Sequence, residues 1–250
     1  MNHENPNKFL RYEAFLGVYE LKLSIESLAK IIDYAILSPD ATIDKIKRAC
    51  RESIKYKFKC LCVNPTYVSL ISKILKKTEV SVCSVIDFPF GASLTEVKIF
   101  EAEKVINLGA EEIDMVMNLG AFKSKNYDLV REEIKSVVEL AHENNVVVKI
   151  IIETCYLSEE EKKVASKLVL NAGADFIKTS TGFGSSGAKV EDVKLIRSIV
   201  GNRIGIKAAG GIRTFKDALS MIEVGANRIG TSSAVKIVNE FTSFLEHQSL

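Results

Sequence analysis

Three lysines stand where lysines are costly. Lys149, Lys178 and Lys207 fall within or at the end of β-branched runs, residues 146–152, 175–178 and 204–207, that read as buried strands. An ammonium loses its hydration there and is rarely buried without a reason. For Lys149 a structural ion pair with Glu153 or Asp114 is reason enough. Lys178 and Lys207 stand at strand ends, ahead of Thr179-Ser180-Thr181-Gly182 and Ala208-Ala209-Gly210-Gly211, and that position has a chemical use. A free amine attacks a carbonyl to give a carbinolamine and then a Schiff base, but a lysine of ordinary pKa is under about 0.1% neutral at pH 7. A second ammonium ~5 Å away disfavours the charged form by roughly 3 kcal/mol at an effective dielectric of about 20. Burial acts in the same direction. Asp114, in the run Ile113-Asp114-Met115-Val116, can keep the second lysine charged and relay protons.

The glycines beyond these strands supply a ligand handle. Gly210-Gly211 follow one run, and Gly230-Thr231-Ser232-Ser233 lead from the last run into the final helix. Amides at that helix start, with the Ser232 and Ser233 hydroxyls, would cradle a phosphate, and Thr181-Gly182 would add a third wall. Each piece has a plainer reading, since Gly-Gly makes turns and serine caps helices. Their coincidence favours a phosphorylated ligand.

The three histidines offer little competing chemistry. His3 and His247 lie near the chain ends and His142 in a polar helix end, Glu139-Leu140-Ala141-His142-Glu143. A Ser-His-Asp hydrolase, a histidine-ligated zinc enzyme and a haem protein are therefore excluded, and no metal is expected. The five cysteines form no CxxC pair, so they read as reduced thiols of a cytoplasmic protein. Lys+Arg 34 against Asp+Glu 32 gives a charge of +2, with no footprint for nucleic acid. No signal peptide or membrane span is legible, because Lys8, Arg11 and Glu13 break the N-terminal apolar stretch and Lys149 interrupts the longest aliphatic run.

These residues need elements to position them. Apolar runs at 60–63, 80–85, 113–117, 146–152, 175–178, 204–207 and 228–230 alternate with helical spacing, as at Val97, Phe100, Glu101, Lys104 and Val105. A first strand near Ile31–Ile36 completes about eight βα units. With 47% hydrophobic residues and no linker, the expectation is a single (β/α)8 TIM barrel domain, residues 1–250, with the barrel over about 28–245. The frame Gly-Ala-x-x-Ile-x recurs at Gly109, Gly173 and Gly225, setting Asp114, Lys178 and Gly230 at the same step of three strands. Residues 1–27 read as an extension, with Phe15, Leu16 and Tyr19 spaced for a helix packed on the barrel bottom or on a partner subunit.

Several long motifs in order resemble the deoxyribose-phosphate aldolase family. They are Asp175-Phe176-Ile177-Lys178-Thr179-Ser180-Thr181-Gly182-Phe183, Ile206-Lys207-Ala208-Ala209-Gly210-Gly211-Ile212-Arg213-Thr214 and Glu112-Ile113-Asp114-Met115-Val116. Shorter matches are Cys62-Val63-Asn64-Pro65, Phe88-Pro89-Phe90-Gly91-Ala92 and Lys149-Ile150-Ile151-Ile152-Glu153-Thr154, within residues 28–240 overall. The resemblance implies a class I aldolase reversibly cleaving 2-deoxy-D-ribose 5-phosphate to D-glyceraldehyde 3-phosphate and acetaldehyde, without a cofactor. It implies Lys178 as the Schiff-base nucleophile, Lys207 lowering its pKa, and Asp114 with Lys207 in proton transfer. Gly182, Gly210, Gly211, Ser232 and Ser233 would hold the 5-phosphate, with Asp33, Cys62 and Lys149 in supporting polar roles. A homodimer is compatible with it. Another class I sugar-phosphate aldolase or transaldolase-like barrel is the nearest alternative. A non-catalytic sugar-phosphate binder is a further one, although phosphate binding alone needs no neutral amine.

The chain departs from the family's Asp-His-Thr-Leu-Leu-Lys-Pro, reading Asp33-Tyr34-Ala35-Ile36-Leu37-Ser38-Pro39. Ala35 removes a hydroxyl and Ser38 a positive charge near the mouth. Intact Schiff-base chemistry with weaker or altered substrate binding is the expectation. The tail from Phe241 to Leu250 holds no tyrosine, although some members of the family end in one.

Overall fold

The computed structural model describes residues 10–13 and 20–247. Eight parallel strands close into a barrel, each paired with its neighbours in chain order and the last with the first. They are β3 (Ile32–Ile36), β4 (Cys60–Val63), β5 (Ser81–Ile86), β6 (Glu112–Val116), β7 (Val147–Ile151), β8 (Phe176–Lys178), β9 (Gly205–Ala209) and β10 (Arg228–Thr231). Ahead of them, β1 (Leu10–Glu13) and β2 (Glu20–Leu23) pair antiparallel. A short helix α1 (Ile25–Ala29) leads into the barrel. The helix expected around Phe15, Leu16 and Tyr19 lies outside the described residues.

Helices α2 (Ile43–Tyr56), α3 (Val68–Leu75), α4 (Thr95–Asn107), α6 (Tyr127–Glu143), α7 (Glu159–Asn171), α8 (Val190–Val200), α9 (Phe215–Glu223) and α10 (Ala234–His247) cover the sheet, and α5 (Leu119–Lys123) is a single short turn after β6. Their starts are locally encoded. Ser158 and Thr214 close capping boxes at α7 and α9, where Glu161 and Asp217 accept hydrogen bonds from the cap amides. No helix among the described residues is long and apolar enough to cross a membrane.

Strand alternation divides the residues between two environments. One set, including Ile32, Leu61, Val82, Ile113, Val148, Ile177, Ile206 and Ile229, packs against the helices in one apolar core. The other set faces the barrel axis. There Cys60, Cys62, Cys83 and Val85 form a separate small cluster, and beside it lie the charged residues of β3, β6, β7, β8, β9 and β10. Layers of branched aliphatic residues usually fill such a barrel. Here charged groups replace them, and that exchange creates the site.

Candidate active site

Register brings the charges together. Asp114 on β6 is the cross-strand partner of Lys149 on β7, and Lys178 on β8 is the partner of Lys207 on β9. The Asp114 Oδ1 accepts from Lys149 Nζ at 2.8 Å. Its Oδ2 accepts from both Lys178 Nζ at 2.8 Å and Lys207 Nζ at 2.6 Å. The two lysine nitrogens are thus no farther apart than those two bonds laid end to end. That agrees with the separation required for one ammonium to discourage the other.

A lower tier holds this arrangement in place. Asp33 pairs with Lys207 at 2.6 Å and with Arg228 Nε at 2.6 Å. Glu112 Oε2 lies 2.6 Å from both Lys149 Nζ and an Arg228 guanidinium nitrogen. Lys149 therefore takes the structural ion-pair role expected of it, with Asp114 and Glu112 as partners. Glu153 is not one of them: its backbone is left-handed (φ 48°), and its Oε2 accepts from the Thr181 amide at 3.1 Å and from the Thr181 hydroxyl. Arg228 and Glu112 complete the network and had no assigned role in the sequence. Their signal was alternation: Glu112 with Asp114, and Arg228 with Gly230, occupy every second position of an inward face.

The electrostatics favour fixed charge on Asp114, Asp33, Lys207 and Lys149. Burial disfavours the Asp114 carboxylate, but Lys149, Lys178 and Lys207 outweigh it and hold its pKa well below the ordinary range. Asp33 is likewise held low, because Lys207, Arg228 and Lys149 outweigh its burial. Burial also disfavours the Lys207 ammonium, yet Asp114 and Asp33 raise its pKa well above ordinary. Lys149 is raised in the same way, chiefly by Asp114 against its burial. Four basic side chains (Lys149, Lys178, Lys207 and Arg228) then face three carboxylates (Asp33, Glu112 and Asp114). A buried excess of one positive charge is costly, and loss of one proton removes it, from a lysine or from the neighbouring Cys83 thiol. Burial opposes the Cys83 thiolate, but hydrogen bonds from Cys60 and Cys62 and the Lys149 ammonium outweigh it and draw the pKa down to about 5. Lys178 is the member with a single carboxylate partner, already shared with Lys207, and it opens onto the mouth.

That mouth is a cavity of about 600 Å³ at the carboxyl ends of the strands, lined by Lys178, Lys207, Thr181, Gly182, Gly210, Gly211 and Ser232. Ser233 lies instead on a neighbouring groove beside Tyr34 and Lys236, and its amide donates to the Thr231 hydroxyl at 2.9 Å. It directly precedes α10, and its carbonyl accepts from the Ile237 amide. Lys45, Arg48 and Arg213 add cations to the cavity wall, and none was assigned from sequence. Two glycines are required by close approach. A Cβ on Gly230 would lie 2.9 Å from Lys207 Cε, and one on Gly210 (φ +88°) would meet Gly187 Cα at 3.0 Å. Asp33, Cys62 and Lys149 lie fully buried beneath the cavity. The Cys62 sulfur is 3.9 Å from Asp114 Oδ2 and that of Cys83 3.4 Å from Oδ1. Phe88 places its ring centre 6.0 Å from Lys178 Nζ and packs edge-on against Phe183.

Residues 27–239 match the family model described as DeoC/LacD family aldolase. The chain belongs to the DeoC/LacD aldolase family. Among relatives, the deoxyribose-phosphate aldolase of Thermococcus gammatolerans is 57% identical over 84% of this chain and 95% of its own length. That of Clostridium tetani is 54% identical over 85% of this chain and 98% of its own. A solved structure described as a unique tetrameric deoxyribose phosphate aldolase from Aeropyrum pernix is 38% identical, with a TM-score of 0.83 over 88% of this chain and 93% of that one. In this DeoC/LacD aldolase Lys178 is the last residue of β8, whereas Asp114 and Lys207 sit at the middle of β6 and β9, so Lys207 lies deeper than the strand end expected for it.

Proposed function

We propose that this chain is a class I aldolase reversibly cleaving 2-deoxy-D-ribose 5-phosphate to D-glyceraldehyde 3-phosphate and acetaldehyde. The observation that carries the reading is the pair Lys178 and Lys207 on one oxygen of Asp114. The neutral Lys178 amine adds to C1 of the open-chain sugar and loses water to give a protonated imine. The C3 hydroxyl then gives up its proton, the C2–C3 bond breaks, and its electron pair enters the imine to form an enamine. Glyceraldehyde 3-phosphate departs. Protonation of the enamine at C2 and hydrolysis release acetaldehyde and regenerate the amine. Lys207 and Asp114 hold and return the protons, and the imine serves as the electron sink.

Thr181, Gly182, Gly210, Gly211 and Ser232 face the phosphate, with Ser233 orienting the start of α10. Asp33 and Lys149 keep the ionic tier in register, and Cys62 packs below the reacting carbons. The enzyme works in the cytoplasm, a reading supported by five free cysteines. It assembles as a homo-oligomer built from dimers, which the tetrameric relative supports. Borohydride reduction with acetaldehyde, followed by peptide mapping, tests the chemistry. An ethyl group on Lys178 is the expected product, and its absence would refute the mechanism.

A further inference from the structure

Lys98 is a lysine that the reaction leaves unused. It is the fourth residue of α4 and is fully buried. Both features oppose its charge, because burial strips an ammonium of water and the start of a helix carries a partial positive charge. Three acceptors answer that cost. The Nζ donates to the Gly91 carbonyl at 3.1 Å and pairs with Asp87 Oδ2 at 3.1 Å and Glu133 Oε2 at 3.0 Å. Each of its three N–H bonds thus has a partner. The other oxygen of Glu133, itself a buried residue, accepts from the Thr95 hydroxyl at 3.2 Å and the Asn118 side-chain amide at 3.3 Å.

Two of those acceptors are the ends of one loop. Asp87 opens the turn after β5 with a left-handed backbone (φ 46°), and Gly91 closes it (φ +67°). The Gly91 amide donates to the Asp87 carbonyl at 2.8 Å. A Cβ on Gly91 would lie 2.8 Å from Val116 Cγ1, so this end of the loop is seated on the end of β6. Helix α4 reaches the other end a second time, through Glu101, which accepts from the Asp87 amide at 2.7 Å. Between the two tied ends stands Phe88. Its side chain packs against the inner cluster of Cys60, Cys62, Cys83 and Val85, with the ring centre 6.0 Å from Lys178 Nζ.

We infer that Lys98 is a positioning residue of the aldol reaction. Its ammonium ties both ends of the loop from Asp87 to Gly91, so the Phe88 ring stays against Lys178 and keeps water from the amine. The inference rests on the Schiff-base reading above and adds a residue to it. At 6.0 Å the ring is at the outer limit of cation–π attraction, so its desolvating effect governs and favours the neutral amine. An uncharged side chain of similar length would fill the space under α4, yet it would leave Asp87 and Gly91 without a common donor. The glycines after β9 stand across the barrel from β5, so the phosphate end of the cavity is outside the reach of this loop.

The pH dependence of imine formation on the full chain tests the assignment. Acetaldehyde is the probe, and the borohydride-trapped ethyl group on Lys178 is the signal. Lys98→Met should move the midpoint upward by about one pH unit and lower kcat at neutral pH about tenfold, with KM for the sugar phosphate unchanged. Phe88→Ala should give the same upward shift, and the Lys98→Met/Phe88→Ala double substitution should shift no further. Asp87→Ala frees one end of the loop while leaving Lys98 and Glu133 paired one to one, which gives a reading independent of whether Lys98→Met folds. A smaller shift in the same direction is expected there. A midpoint unmoved in Asp87→Ala and Phe88→Ala would overturn the role of Lys98. So would additive shifts in the double variant, or activity lost equally at every pH. A wild type that forms no trapped adduct would refute the aldolase chemistry itself, and this inference with it.

Discussion

Lys178 and Lys207, partners across β8 and β9, both donate to Oδ2 of Asp114, at 2.8 and 2.6 Å. One oxygen cannot neutralise two ammonium groups. Lys207 has a second carboxylate, Asp33 at 2.6 Å, so it is the lysine that keeps its proton. Lys207→Leu is expected to slow imine formation with acetaldehyde by about a hundredfold, the kinetic equivalent of roughly 3 kcal/mol. Borohydride-trapped adduct followed by mass against time, on protein of unchanged circular dichroism, measures this.

Asp114 anchors three lysines, and Asn would keep its shape while removing its charge. Asp114→Asn should cost about 3–5 kcal/mol of stability, because uncompensated ammonium groups remain buried. Aldol cleavage should fall to background in the same variant. Urea unfolding and a coupled cleavage assay test both halves, and a variant as stable as wild type would contradict the electrostatic account.

Two glycines of the mouth should respond differently to alanine. At Gly230 the new methyl would lie 2.8 Å from Ala209 Cβ and 2.9 Å from Lys207 Cε, so overpacking of about 1–3 kcal/mol and a lower kcat are expected. At Gly211 (φ +78°) no atom lies within 4 Å of the added Cβ, leaving backbone strain as the main penalty. Gly211→Ala should therefore act mainly on KM. Thermal unfolding with steady-state kinetics on both variants separates the cases.

Ala35 lines the same cavity as Lys178 and Gly210. Restoring a hydroxyl with Ala35→Thr should lower KM for the sugar phosphate several-fold, about the 0.5–1.5 kcal/mol of one hydrogen bond, at constant kcat. An unchanged KM would show that the departure in this strand is not felt by the substrate.

Acid and base should act on the interior from opposite sides. Asp33 and Asp114 have depressed folded pKa values, so their stabilisation is complete above the unfolded value near 3.9 and is lost as pH falls below it toward the folded values. Lys207 is raised, so its share is complete below about 10.4 and is lost as pH rises beyond that. Stability measured by denaturant should hold between those limits. A decline already complete at pH 5 would mean that other groups control acid unfolding.

The strand runs and the three central charges were legible because a charge inside a β-branched run is conspicuous. Glu112 and Arg228 were harder to read. Each begins its strand, where a charge usually meets water, and only barrel closure turns them inward. Of the two acids offered as partners of Lys149, Asp114 is one and Glu153 is not, for a related reason. Glu153 follows the strand closely in sequence, but its left-handed backbone swings it toward Thr181. Ser232 borders both the cavity and the groove behind it, and Ser233 borders the groove. The thiols of Cys60, Cys62 and Cys83 meet only through the pairing of β4 with β5, which no single segment announces.

The ionic interior has a temporal consequence. Asp33 and Arg228 are 195 residues apart, and β10 must close against β3 before their ion pair exists. A nascent chain lacking its last strand therefore holds Asp33 and Lys207 without the guanidinium that completes their tier. The polypeptide should emerge from the ribosome chemically silent and acquire reactivity only when the final strand seals the ring.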